Sequence, residues 1–316
     1  MEGFMKILIK TLSIIMSLSL IIAMTISETA IAKTTEPTAA LEAEKITGTE
    51  DLIQVNENNL LENNLNSITL PDKNDKKIRI ENKEDNSELS IGVPNNINLS
   101  NLNLTDSGSY EYKNNGAVDL ILQPTDFGVR SIINIKNVNA PKEYKFDLNL
   151  PKGHKLVTSH DYFKGTPGDD LDTGEVFIVD ENNIIQSVFG KAWAIDANGK
   201  EVPTKYEVIG NTLIQTVDFN ADTAFPVLAD PDWVAIGACA AALTWFVGSN
   251  LFAAAKIIKV KKYIKALGGF KETAKLIVSA TTWEEKLRAG GSAFKSLAAE
   301  ITGVGGLYAC NKFIKR

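Results

Sequence analysis

The period of the apolar residues changes once along this chain, at Asp230-Pro231-Asp232, and that change constrains the fold more than any other feature. From about Lys76 to Leu228, short runs such as ELSIGV, VRSIINI, YKFDLNL and NTLIQTVDF carry apolar and polar residues in alternation. A period of two puts every second side chain on the same face of a strand. Ala197-Asn198-Gly199 and Gly210-Asn211 supply residues that tolerate positive φ where hairpin turns are needed. The pattern predicts a small all-β domain over 76–230, a sandwich or twisted antiparallel sheet.

After Pro231 the alternation stops. Trp233 to Ala255 contains no charged residue, and KIIKVKKYIKAL follows. Ile257, Val260, Ile264 and Leu267 fall on one face of a helix, with Lys259, Lys262 and Lys265 away from it. Gly268-Gly269 ends that pattern, and KETAKLIVSA and TTWEEKLRAGGSAFKSLAAEI read as further helices. The prediction for 231–316 is a compact all-α bundle of about four helices. The whole chain thus reads as an α+β multidomain protein.

Two flanking segments complete the plan. Residues 33–75, rich in Asn, Glu and Thr, offer little to bury against the entropy of ordering and read as mostly disordered, with local folding left open. Residues 1–32 read as a secretory signal peptide: Lys6 and Lys10, an apolar run from Leu12 to Ile26, and an exit at Ala30 and Ala32. Signal peptidase would cut between Ala32 and Lys33; a retained anchor helix is the alternative, although it needs a run of about twenty apolar residues. In a secreted, extracellular product, Cys239 and Cys310 are expected to form a disulfide. Closing a loop of roughly seventy residues is worth about 4 kcal/mol. The alternative is a pair of unpaired buried thiols.

No reaction organises the sequence. The two histidines, His154 and His160, have no nucleophile motif beside them. Asp169, Asp170, Asp172 and Glu175 supply oxygen ligands of the kind calcium prefers, but without EF-hand spacing they read as a solvated turn. There is no phosphate-binding glycine loop and no zinc spacing, so the expectation is a non-enzyme without cofactor or metal.

Charge suggests the partner instead. The net charge of −6 hides +8 from Pro231 onward and −14 before it. An acidic segment ahead of a basic one in a secreted chain has the form of a propeptide that neutralises its cargo. Basic residues are drawn to anionic lipid, and an amphipathic helix can then bury its apolar face in the interface. Lys256, Lys259, Lys261, Lys262 and Lys265 are the candidates for adsorption, and Trp233, Trp245 and Phe246 for insertion. Nucleic acid is not an expected partner of a secreted chain with an uncharged stretch beside its lysines.

The residues also carry a resemblance. The segment PDWVAIGACAAALTWFVGSNLFAAAKIIKVKKYIKALGG, continuing through SATTWEEKLRAGGSAFKSLAAEITGV to Cys310, closely resembles closticin-type bacteriocins. It covers nearly all of residues 231–316, although NKFIKR runs past the family's pattern. The resemblance implies a preproprotein whose C-terminal antibacterial peptide starts at Pro231, after a processing protease cuts the Asp230–Pro231 bond. It also implies antibacterial activity and an immunity protein in the producer, while the membrane of related bacteria as target is the expectation from the lysines and the amphipathic helix. The competing expectation is an uncleaved secreted surface-binding protein with a helical accessory domain.

Overall fold

The computed structural model describes residues 32–33, 38–56, 60–63, 65–83, 86–166, 172–235, 254–279 and 283–301. The chain divides into two compact units, Met1–Ala32 and Lys33–Arg316. The signal-like segment 1–31 lies outside the described residues, and Ala32–Lys33 form a two-residue strand, β1.

The second unit is built on two large antiparallel sheets. The smaller contains β2 (Leu61–Glu62), β3 (Asn66–Thr69), β4 (Lys77–Asn82), β5 (Glu88–Gly92), β10 (Glu143–Asn149), β15 (Thr204–Ile209) and β16 (Thr212–Val217). Its spatial order is β15-β16-β10-β5-β4-β3-β2. The larger contains β6 (Leu102–Leu104), β7 (Tyr110–Tyr112), β8 (Val118–Pro124), β9 (Gly128–Ile135) and β11 (Lys155–Thr158). To these it adds β12 (Val176–Val179), β13 (Ile185–Phe189), β14 (Ala194–Ile195), β17 (Val227–Ala229) and β18 (Asp232–Ala235). It runs β6-β7-β8-β9-β18-β13-β12-β11, and β17 joins β9 to β14.

Five helices accompany the sheets among the described residues: α1 (Ala39–Thr47), α2 (Ser159–Phe163), α3 (Ala254–Ala266), α4 (Phe270–Ser279) and α5 (Trp283–Ile301, kinked at Gly291).

Side-chain alternation in the larger sheet feeds two cores at once. Leu120, Leu122, Val129 and Ile133 face the smaller sheet and share a core with Ile80, Ile91, Tyr144 and Phe146. Ile121, Ile132 and Leu228 point the other way and meet Ala40 and Ala43 of α1. Further along, Val176 and Ile178 belong to the inter-sheet core, while Phe177 and Val179 pack with α3, α4 and α5. The larger sheet is therefore a middle layer covered on both faces, which accounts for the burial of every residue of β8 and β9.

This architecture corrects the expected fold. The protein is mostly β, with two large sheets in place of a small β domain, and strands run from Leu61 to Ala235. The segment after Pro231 is not a separate all-α bundle. Its first residues form β18, and its helices lie on the sheet in a common core with β12 and β13. A charge-free apolar run has no period to separate a buried strand from a buried helix, and DWVA at its start takes the strand.

The 33–75 stretch is likewise not disordered throughout. Thr38 caps α1 by accepting the Leu41 N–H at 3.3 Å, and Ala40 and Ala43 are small enough to seat the helix directly on the sheet. The expected disulfide cannot be placed, because Cys239 and Cys310 lie outside the described residues, as do Trp245 and Phe246.

Candidate functional site

The junction read as a processing site lies inside the larger sheet, paired on both sides. β17 and β18 share one register along β9: Val227 opposes Ile135, Ala229 opposes Ile133, Asp232 opposes Arg130 and Val234 opposes Gly128. The ladder passes through the Asp230–Pro231 bond without a shift. Pro231 has no N–H to offer, but its carbonyl accepts from Ser131 N at 2.8 Å. On the other side β17 pairs with β14 and β18 with β13, and Gly190 N donates to the Asp232 carbonyl at 2.9 Å. Residues 227–235 therefore form a central strand, and Asp230, Pro231 and Asp232 are all buried.

The acidic side chains of this strand meet basic ones from both halves. Lys271 of α4 donates to Asp232 Oδ2 at 2.9 Å, with Arg130 of β9 at 3.7 Å and Lys275 at 3.9 Å from the same oxygen. Asp51 pairs with Arg130 and lies 3.7 Å from Lys275. Burial alone would raise Asp232, but the charges of Lys271, Lys275 and Arg130 outweigh it and hold the carboxyl below its ordinary range. Asp230, two residues away on the same strand, is pushed well above that range by burial and then by Asp232. Its Oδ1 accepts the Trp193 N–H at 3.2 Å, and its Oδ2 has no hydrogen-bond partner among the described residues.

A second carboxylate fixes α4 at its N-terminus. Glu175 is fully buried and accepts from Phe270 N at 3.0 Å, Lys271 N at 2.8 Å and the Thr173 hydroxyl at 2.7 Å. It fills the role of an N-cap side chain although it lies about a hundred residues upstream, and its charge faces the positive end of the helix dipole. Burial raises its pKa against these donors. Gly269 allows the approach: its φ is +102°, and a Cβ there would sit 2.9 Å from Glu175 Oε1. Of the acidic turn read as a weak calcium candidate, Asp172 accepts from Ser159 Oγ at 2.7 Å, and Asp169 and Asp170 lie outside the described residues.

The amphipathic helix forms as α3, and its apolar stripe is covered. Ile257, Val260 and Ile264 have no exposed surface and pack in one core with Phe163, Phe177 and Val188. Phe270 stacks on Phe163 with ring centroids 5.4 Å apart and meets Phe177 edge-on at 5.6 Å.

The five lysines separate. Lys262 and Lys265 are exposed, Lys256 is half-buried, and Lys259 reaches Glu300 at 3.3 Å. Lys261 is buried against the sheet side, with Nζ 4.7 Å from the Phe163 ring centroid and 3.2 Å from Thr166 Oγ1. Trp233 is also buried, in β18 and toward the inter-sheet core. Among the described residues no helix is long and apolar enough to cross a membrane. His160 is exposed on α2, and His154 faces the Lys152 carbonyl at 3.2 Å.

Sequence reasoning picked out the Asp230–Pro231 junction and the stripe on α3 but missed Glu175 as a cap and Asp232, Arg130, Lys271 and Lys275 as a cluster. Gly268-Gly269 was the one local signal that a cap was needed nearby. Compared with known proteins, the chain matches no family model and no curated sequence.

Proposed function

We propose that this chain is a secreted precursor of a membrane-active bacteriocin, kept latent because its β portion covers the apolar face of the C-terminal helices. The burial of Ile257, Val260 and Ile264 against Phe163, Phe177 and Val188 carries this reading. An amphipathic helix acts on a bilayer through its apolar stripe, and here that stripe has a protein surface as its partner. The charge division, −14 before Pro231 and +8 after it, adds a second restraint, because acidic groups compete with anionic lipid for the same lysines. Release frees the stripe, Lys261 and Trp233 together, and the freed peptide adsorbs to bacterial membranes and permeabilises them. The resemblance of 231–316 to closticin-type peptides supports the antibacterial outcome.

The test compares an oxidised Pro231–Arg316 peptide with the Lys33–Arg316 protein, in killing of related bacteria and in leakage of anionic vesicles. The expected result is activity from the peptide and none from the longer protein. Equal activity of both would remove latency, and inactivity of both across a broad panel would remove the toxin.

One observation favours a second reading. The Asp230–Pro231 bond is buried in a central strand, as expected of a chain that works uncleaved, as a surface-binding protein with its helices as an outer layer. Mass spectrometry of the culture supernatant separates the two readings, since an uncleaved protein gives one species beginning near Lys33.

A further inference from the structure

We propose that residues 33–221 form a high-affinity binding partner for residues 222–316, independent of chain connectivity, so that a cut precursor persists as a latent two-chain complex. The inference deepens the latent-precursor reading and rests on it only for the word latent; retention of the two chains stands on the interface alone.

The interface is of the kind that survives a cut. β18 contributes a strand hydrogen-bonded on both edges, to β9 and to β13. Strand insertion of this type gives affinity through main-chain bonds whatever the sequence, while side-chain pockets fix the register. Trp233 supplies such an anchor in the inter-sheet core. The other contacts also take one member from each half: Glu175 at the N-terminus of α4, Arg130 on Asp232, Asp51 beside Lys275, and Phe163 and Phe177 around Phe270. Buried aromatic anchors and desolvated charge pairs dominate binding energy in protein interfaces.

The structure also indicates where a protease gains access first. Asn220, Ala221 and Asp222 are exposed in the turn before β17, whereas 227–234 is buried. Proteases prefer exposed turns of small and polar residues. Hydrolysis there takes up one water, breaks one C–N bond and leaves a carboxylate and an ammonium, with every contact between the halves intact. A first cut in this turn is therefore compatible with the fold in a way that a cut at Asp230–Pro231 is not.

The experiment uses the Lys33–Arg316 protein with a site-specific protease sequence inserted between Ala221 and Asp222. After digestion, denaturing gels count the fragments and size-exclusion chromatography without denaturant reports whether they stay together. The expected result is two fragments in one peak at the elution volume of the uncut protein. Fragments that elute apart, or a β portion that precipitates while the other stays in solution, overturn the proposal. If this insertion prevents folding, the same sequence placed between Asn220 and Ala221, in the same exposed turn, leaves the interface unchanged and is read the same way.

Glu175→Ala, which strands the buried Phe270 N–H and the partly buried Lys271 N–H, is expected to speed separation of the cut chains by about tenfold or more. An unchanged rate removes the cap from the interface. The toxin reading fails separately. Cut chains that stay together, with a denatured and refolded C-terminal fragment that leaks no vesicles, keep this proposal and sink that one; chains that separate and yield a leaking fragment do the reverse.

Discussion

Asp230 and Asp232 lie two residues apart on one strand, yet their surroundings drive them in opposite directions. Asp232 has Lys271, Lys275 and Arg130 around one oxygen, whereas among the described residues Asp230 has a single N–H from Trp193 and a second oxygen without a hydrogen-bond partner. A depressed carboxyl stabilises the fold above its ordinary pKa of about 4 and loses that contribution as pH falls through its folded value. A raised carboxyl binds its proton in the folded state first, so its contribution is present at low pH and is lost as pH rises through its folded value. Glu175 acts in the same direction as Asp230. Thermal stability is therefore expected to climb as pH is lowered from 8 toward the ordinary carboxylate range and to drop below it as Asp232 loses its charge. Asp230→Asn should raise the melting temperature at pH 8 and flatten the climb. A pH series of melting curves on both proteins checks this, and parallel curves would sink the assignment. None of this was legible in the sequence, where Asp230-Pro231-Asp232 marks a change of period and a processing site, and Glu175 is part of an acidic turn. The meaning of each carboxylate comes from groups forty to a hundred positions away.

Among the elements, α3 was the most legible and β18 the least. The spacing of Ile257, Val260 and Ile264 specifies which face of α3 is apolar, and that face is the buried one. Spacing does not specify what covers it, so Lys261 could not be told from its exposed neighbours; the Phe163 ring that receives it comes from the short helix α2. β18 was hidden because an apolar run buried on both sides carries no alternation. Its position depends on a residue with no side chain. A Cβ on Gly128 would lie 2.0 Å from the Trp233 carbonyl oxygen, well inside the closest approach of non-bonded heavy atoms. Gly128→Ala is expected to displace β18 from β9 and cost about 1–3 kcal/mol, the usual penalty for overpacking. Hydrogen exchange at the β18 amides should accelerate while the β4–β5 pair in the other sheet keeps its protection. Equal protection in both strand pairs would show that β9 and β18 part without loss.

At the scale of the molecule, the strand periodicity pointed to a small β domain beside a helical bundle, whereas the chain folds as two large antiparallel sheets with the C-terminal helices packed on one of them. Composition changes at Pro231, whereas packing continues through it to Ala235 and then to helices that share a core with β12 and β13. A shift in composition marks a change of layer here rather than a change of domain. Limited proteolysis follows from this. In the folded Lys33–Arg316 protein, early cuts are expected in exposed turns such as Asn220–Asp222, with Asp230–Pro231 intact until denaturant melts the larger sheet. Mass spectrometry of the first fragments checks the order, and an early new terminus at Pro231 would contradict the buried ladder.

The ladder through 227–235 has one more consequence, for what is left behind. Withdraw β18, and β9 and β13 lose the strand between them, leaving two unpaired edges inside the sheet. Such a slot accepts only a strand of matching register, and open edges otherwise recruit one another. On the proposed release, the β portion is then a holder with an empty slot. Once emptied it either takes back the segment it lost or aggregates, so spent holder should accumulate as insoluble material in step with the peptide set free.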